Sequence, residues 1–286
     1  MNWRMVAPSV QPRPALWRRI LDSRFMPPIF ITLILLVGNV SFGILESYTR
    51  TLLAIAISIT GELILGRIFL KKWPHPASAY ITGISVGILL RSPAYWPYGL
   101  CAALSITSKY ALRFRNRHIW NPSNFGICAM LFLASDSVAG LSIQWGNNFV
   151  SLVVIWILGA VIVWRARRFN ITATYVASFI ALSFLRSWIT GDPWQSEISP
   201  ITGPMYQLFI FFMITDPKTT VRSRTGQCVV AIAIALVEFF MRLGSSVYAP
   251  LYALFWVGPA ALFIEMWLDA RRARAVPAVL TGPQPA

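Results

Sequence analysis

Charge is scarce in this 286-residue chain: Asp, Glu, Lys and Arg make up 12% of it, about half the share found in ordinary soluble domains. Acid is scarcer still, with 10 Asp and Glu against 25 Lys and Arg, for a formal net charge of +15. No stretch is polar enough to form a soluble domain. Histidine is limited to His75 and His118. Both fall at the same predicted membrane edge, which excludes a pair of haem ligands stacked across a bilayer. The three cysteines, Cys101, Cys128 and Cys228, are odd in number and lack CxxC spacing. A disulfide framework and a zinc site are therefore not indicated, and all three are read as small packing residues in or beside apolar runs. Iron–sulfur ligand sets, a nicotinamide fingerprint, a metal site and a catalytic constellation are also missing.

What the chain has is apolar length. Hydrophobic residues make up 56% of it, and the basic residues fall in short clusters between long apolar runs. A nucleic-acid-binding protein would gather its cations on one soluble face. Clusters spaced by apolar runs are instead the pattern of the positive-inside rule, so membrane lipid is the expected surroundings and nucleic acid is not a partner.

The runs are Pro27–Ile44, Thr51–Leu70, Ala77–Leu90, Tyr95–Ser108, Asn124–Ser135, Asn148–Trp164, Ile171–Ser187, Ile201–Ile214, Gln227–Met241 and Pro250–Leu268. Crossing the hydrocarbon core takes about 20 residues, so the shorter runs predict helices that are broken, re-entrant or extended through polar ends. The expected fold is an all-α membrane protein of about ten transmembrane helices. Two inverted five-helix halves would suit that number, although no sequence repeat is visible.

Residues 1–25 read as a basic cytoplasmic arm, 26–269 as the polytopic transmembrane domain, and 270–286 as a tail that is basic and then Ala/Pro-rich and disordered. The first apolar run is long and has no small-residue cleavage site near its end, which favours a retained helix over a signal peptide. Ten spans would put nearly all the cationic clusters inside, leaving Arg50, Arg91, Arg186 and Arg242 outside. Both termini would then be cytoplasmic in a bacterial inner membrane.

Several local patterns bear on packing and sites. Gly83 and Gly87, four apart, allow close approach of a neighbouring helix. Pro and Gly interrupt the apolar pattern at Asn121–Pro122 and at Thr202–Gly203–Pro204, where exposed backbone groups call for a protein- or water-lined cavity. Glu62 lies midway through the second run. It is expected to bind a proton or cation on an ion pathway, or to pair with a distant arginine. Glu238 and Arg242 are spaced for mutual i,i+4 neutralisation. Glu265 lies near the inner edge and is expected to be solvated.

Two segments concentrate polar side chains on the predicted inner side. The first runs from Ser108 to Gly126 (SKYALRFRNRHIWNPSNFG) and ends in Asn121, Ser123 and Asn124. Asn before a helix and Pro in its first turn suit a helix cap. The crowded amides also suit recognition of a flat heterocycle or an anion. The second is Phe212–Gly226 (FMITDPKTTVRSRTG), in which Pro217 disfavours helix at Asp216 and marks a turn. The Asp216 carboxylate can bond local backbone there or contact a cofactor or partner.

These two segments resemble the SKY…R…HIFNP and FMxTDPxT motifs of the NqrB/RnfD family. Its members are membrane-integral flavin subunits of sodium-pumping NADH:quinone oxidoreductases and Rnf complexes. The resemblance implies electron transfer through flavin, riboflavin or FMN, together with redox protein partners. By that resemblance Lys109 and Arg113 would face the negative charge of a reduced flavin, with Asn121, Asn124, Thr215 and Asp216 supplying hydrogen bonds. The family attaches FMN through a Ser-Gly-Ala-Thr motif on the outer side. The corresponding loop here, Ser135–Gly146, has no such motif and no threonine, so the flavin is expected to be noncovalent. Small stand-alone relatives, including some associated with enediyne biosynthesis, resemble this chain in length. A transporter and an accessory scaffold, including one that supports a biosynthetic pathway, are the competing readings.

Overall fold

A computed structural model describes residues 26–43, 45–140 and 149–275 of the chain. The predicted N-terminal arm, the tail beyond 275 and residues 141–148 lie outside the described residues. The chain is all-helical apart from two short strand pairs. Its helices are α1 (Met26–Phe42), α2 (Tyr48–Leu70), α3 (Ala77–Leu89), α4 (Trp96–Ala111), α5 (Pro122–Leu133), α6 (Phe149–Arg165), α7 (Phe169–Thr190), α8 (Trp194–Ile198), α9 (Pro204–Leu208), α10 (Arg224–Leu243) and α11 (Ala249–Ala275). The strands are β1 (Leu90–Arg91), β2 (Arg113–Phe114), β3 (Arg117–His118) and β4 (Ala139–Gly140), with β1 antiparallel to β4 and β2 antiparallel to β3.

Four helices, α2, α7, α10 and α11, are long and apolar enough to cross a membrane. Shorter apolar helices occupy Pro28–Val40, Ala77–Leu89, Pro122–Leu133, Leu152–Arg165 and Pro204–Met213. Large apolar side chains such as Ile64, Ile68, Trp164, Trp188 and Phe240 are exposed along the flanks. So much exposed apolar surface fits hydrocarbon better than water. The molecule is an all-α protein built to lie in a membrane.

Every apolar run of the sequence carries a helix, and the two breaks fall where Pro and Gly placed them. Asn121 caps α5 by accepting from the Asn124 amide at 3.1 Å, with Pro122 in the first turn. The eighth run is composite. A 3-10 turn (Ser199–Thr202) ends at extended Gly203, and α9 then runs straight into a π-helical turn at Phe209–Met213. The short α8, wedged between α7 and this turn, has no counterpart among the predicted runs.

Two packing details explain why these residue types stand where they do. A Cβ at Gly83 would lie 2.5 Å from the Cα of Ile55, and one at Gly87 would lie 2.5 Å from Cγ2 of Thr51. Side-chain-free positions therefore let α2 and α3 pack in close contact, as the glycine spacing predicts. Pro259 lies inside α11, where it can give no backbone N–H to the carbonyl four residues back. That carbonyl, on Phe255, receives the Trp120 indole N–H instead, at 2.8 Å. The same indole sits 5.6 Å from the Phe255 ring and 5.6 Å from that of Phe125. The loop before α5 is thereby pinned to the proline site of α11.

The charges sort by face. Opposite the basic loops, Arg50 pairs with Glu46 at 2.7 Å, Arg186 with Glu197, and Arg242 with Glu238 at 2.9 Å. Three of the four arginines predicted for that face are thus neutralised locally. The Glu238–Arg242 pair is the one the i,i+4 spacing predicts.

Candidate functional site at the basic face

The first motif folds back on itself as a tight hairpin. Arg113 pairs with His118 and Phe114 with Arg117 across a two-residue turn whose residues, Arg115 and Asn116, have φ of 47° and 63°. Two positive φ values match the turn whose twist suits paired strands. The hairpin points Arg117 at the second motif. Its guanidinium donates to the carbonyls of Thr220 at 2.5 Å and Lys218 at 3.3 Å, and pairs with Glu265 of α11 at 2.5 Å. Glu265 also accepts from the Arg222 amide at 2.6 Å. The expectation that Glu265 is solvated is therefore corrected, because the hairpin brings a cation to it across 148 residues of sequence.

A second link joins the motifs directly. Asn121 Nδ2 donates to Asp216 Oδ2 at 3.3 Å, and Asp216 Oδ1 accepts from the Lys218 amide at 3.0 Å. The turn-cap role foreseen for Asp216 is found, and its other carboxylate oxygen bonds Asn121 of the same chain. Thr215 donates its hydroxyl to the Phe211 carbonyl at 2.7 Å. Asn124 is 1% exposed, and its amide nitrogen donates to the Leu251 carbonyl at 3.0 Å. Its Oδ1 is buried with no hydrogen-bond partner among the described residues. Such an orphaned acceptor calls for a water, a ligand or a movement.

The electrostatics follow from burial. Burial pushes the Asp216 carboxyl above its ordinary pKa, and the Lys218 amide and charge oppose this. His118 is buried in β3, and its pKa falls to about 3, first through burial and then through the charges of Lys218, Lys109 and Arg113. Arg168, at the start of α7, donates to the Val221 carbonyl at 3.2 Å, and burial lowers its pKa.

The remaining candidates lie to one side. Lys109 is 5% exposed, and its ammonium bonds the Glu62 carboxylate and, at 3.2 Å, Ser78 Oγ. Of the readings open to Glu62, the ion pair with a distant cation is found, with a lysine in place of an arginine. Glu62 Oε2 stays buried with no hydrogen-bond partner among the described residues. Arg113 is half-buried and turns to its own hairpin, 3.5 Å from the Asn116 carbonyl. The structure therefore links Asn121 to Asp216, turns the Asn124 side chain to α11 and Thr215 to its own helical turn, and commits Lys109 to Glu62.

The sequence disclosed the Glu238–Arg242 pair but not the buried cluster it belongs to, near the opposite face. Glu238 accepts from Tyr175 at 2.5 Å, from Tyr206 and from Arg242. Beside it a cavity of about 400 Å³ opens, lined by Arg186, Glu197, Gly203, Tyr206, Arg242 and Ser245 among others. The signal for the rest of it was two tyrosines, Tyr175 and Tyr206, within apolar runs, since a buried phenol needs a hydrogen-bond partner.

The chain matches no protein-family model and none of the curated proteins. The fit of a flavin is thus judged from the residues alone. The amide, carboxyl and cationic groups are of the right chemical kind. The neighbouring space is small: the crevice bordered by Trp120, Thr219, Thr220 and Gly258 measures about 20 Å³, and none of the six candidate side chains lines it. Cofactor pockets run to about 300–1,000 Å³. Five of the six candidate side chains, all but Arg113, are tightly bonded to protein, so the junction in this closed arrangement does not seat an isoalloxazine ring.

Proposed function

We propose that this chain is a membrane-integral electron-transfer subunit of the NqrB/RnfD kind, holding a noncovalent flavin near the cytoplasmic face and exchanging electrons with partner proteins. The observation that supports it most is the meeting of the two motif-like segments. They are far apart in sequence, yet Asn121–Asp216 and the three-way contact of Arg117 lock them into one basic surface. In this reading the chain crosses a bacterial inner membrane ten times with both termini cytoplasmic, and its basic surface docks a redox partner. Because the closed junction does not seat the ring, no chemistry is assigned to its side chains. Their part is to hold the two loops and the partner surface together.

The test is isolation of the tagged chain from its native membrane in mild detergent. Flavin and a co-purifying redox protein that reduces it are the expected result. A flavin-free chain without such a partner contradicts the proposal. A second reading, transport, is favoured by one observation: the 400 Å³ polar cavity lies beside the Thr202–Gly203–Pro204 break and the buried Glu238 cluster. Flavin-free protein that moves a solute across vesicles would select it. A scaffold serving a biosynthetic pathway would show stable partners with neither flavin nor flux.

A further inference from the structure

A large concavity lies on the flank, away from the junction. Helices α10 and α11 pack against each other, and near the basic face they leave a groove of about 820 Å³ between them. Small residues open it: Gly226 and Ala233 on α10 face Ala260 and Ala261 on α11. Its walls are mainly apolar, with Val229 and Trp256 both exposed along the flank.

Length and charge together identify an occupant. On α11 the apolar part of the groove runs from Leu268 to Trp256, with Asp269 and Arg272 at its mouth, about 18 Å of apolar length at the helical rise of about 1.5 Å per residue. One leaflet of hydrocarbon is about 15 Å deep, half of the full core. The groove therefore begins at the basic edge and ends near the membrane midplane. Four charged residues line its mouth: Arg222, Arg272, Glu265 and Asp269. Glu265 is committed to Arg117 and to the Arg222 amide. The exposed guanidiniums of Arg222 and Arg272 have no hydrogen-bond or ion-pair partner among the described residues, which leaves two free cations against Asp269. Arg224 and Arg271 stand beside them in sequence and add to the positive field.

We infer that this groove is a binding site for an anionic phospholipid of the leaflet at the basic face. One acyl chain lies between α10 and α11, and the phosphate meets Arg222 and Arg272. The inference rests on the chain lying in a membrane, and it holds whether or not a flavin is bound. A basic pocket at a helix pair on the cytoplasmic side has the chemistry that retains acidic headgroups, at about 1 kcal/mol per cation or about a fivefold change in affinity.

The test reads Trp256, which lines the groove. The full chain is reconstituted in phosphatidylcholine with rising fractions of brominated-chain phosphatidylglycerol or brominated-chain phosphatidylcholine, and the quenching lost in Trp256→Phe is taken as the groove signal. Half-quenching is expected at a several-fold lower fraction of the phosphatidylglycerol. Arg222→Gln with Arg272→Gln should erase that preference, while Arg222→Lys with Arg272→Lys should keep most of it. Equal quenching by both lipids, or a preference unchanged in the double Gln variant, overturns the site. So does protection of Trp256 from both lipids together with self-association, which would make the groove a contact between copies. Lipid preference is measured without reference to flavin content, so this inference and the redox proposal can fail separately.

Discussion

Replacing Lys109 with Met should destabilise the folded chain sharply, and replacing Glu62 at the same time should restore most of the loss. Lys109 and Glu62 are 5% and 2% exposed, on α4 and α2, and bond each other directly. Removing the ammonium leaves a buried carboxyl group whose other oxygen already lacks a partner among the described residues. Breaking a buried pair from one side costs about 3–5 kcal/mol, whereas replacing both partners with apolar residues is often close to neutral. Lys109→Met alone should therefore lose several kcal/mol in a detergent unfolding titration. Glu62→Leu combined with Lys109→Met should recover all but about 1 kcal/mol, a strongly coupled double-mutant cycle. Additive losses would refute the argument. So would a Lys109→Met protein of undiminished stability, because then the lysine would not be holding Glu62 in place.

His118 gives the junction a pH dependence of known sign. Its folded pKa of about 3 lies below the ordinary 6.5, so its contribution is fully present above pH 6.5 and is lost as pH falls toward 3. At 1.36 kcal/mol per unit, its share of the loss between pH 6.5 and 4 is about 3 kcal/mol. Unfolding titrations of wild type and His118→Gln across that range should converge toward acid; parallel curves would remove His118 as the cause. Trp120→Phe keeps the ring packing but strips the hydrogen bond from the Phe255 carbonyl, at an expected cost of about 1–3 kcal/mol. Hydrogen exchange around Pro259 should rise in that variant, and unchanged exchange would contradict the pinning. Gly83→Ala places a methyl 2.5 Å from the Ile55 Cα, so α2 and α3 must separate. Accumulation of folded protein should fall, and a neutral outcome would mean that the crossing adjusts at little cost.

Much of the helical layout was legible because apolar length and Pro/Gly punctuation are local signals. The ten runs, the cap at Asn121, the break at Gly203 and the Gly83/Gly87 crossing all came from residues close together in the chain. Partners distant in sequence were not legible. Nothing near Glu62 announces Lys109, nothing near Glu265 announces Arg117, and the Tyr175–Glu238–Tyr206 contacts join three separate helices. The site at the basic face shows both cases. Its motifs singled out Asn121 and Asp216 as residues with something to bond, but could not show that much of that bonding is with each other. The α8 insertion escaped because five residues give too short a periodic pattern to read.

The most direct test of the redox account is the absorption and fluorescence spectrum of the detergent-purified chain, taken before and after acid precipitation. The account predicts flavin bands that pass into the acid supernatant. A folded but colourless protein that neither riboflavin nor FMN restores would contradict it, and bands that stay with the pellet would contradict noncovalent attachment.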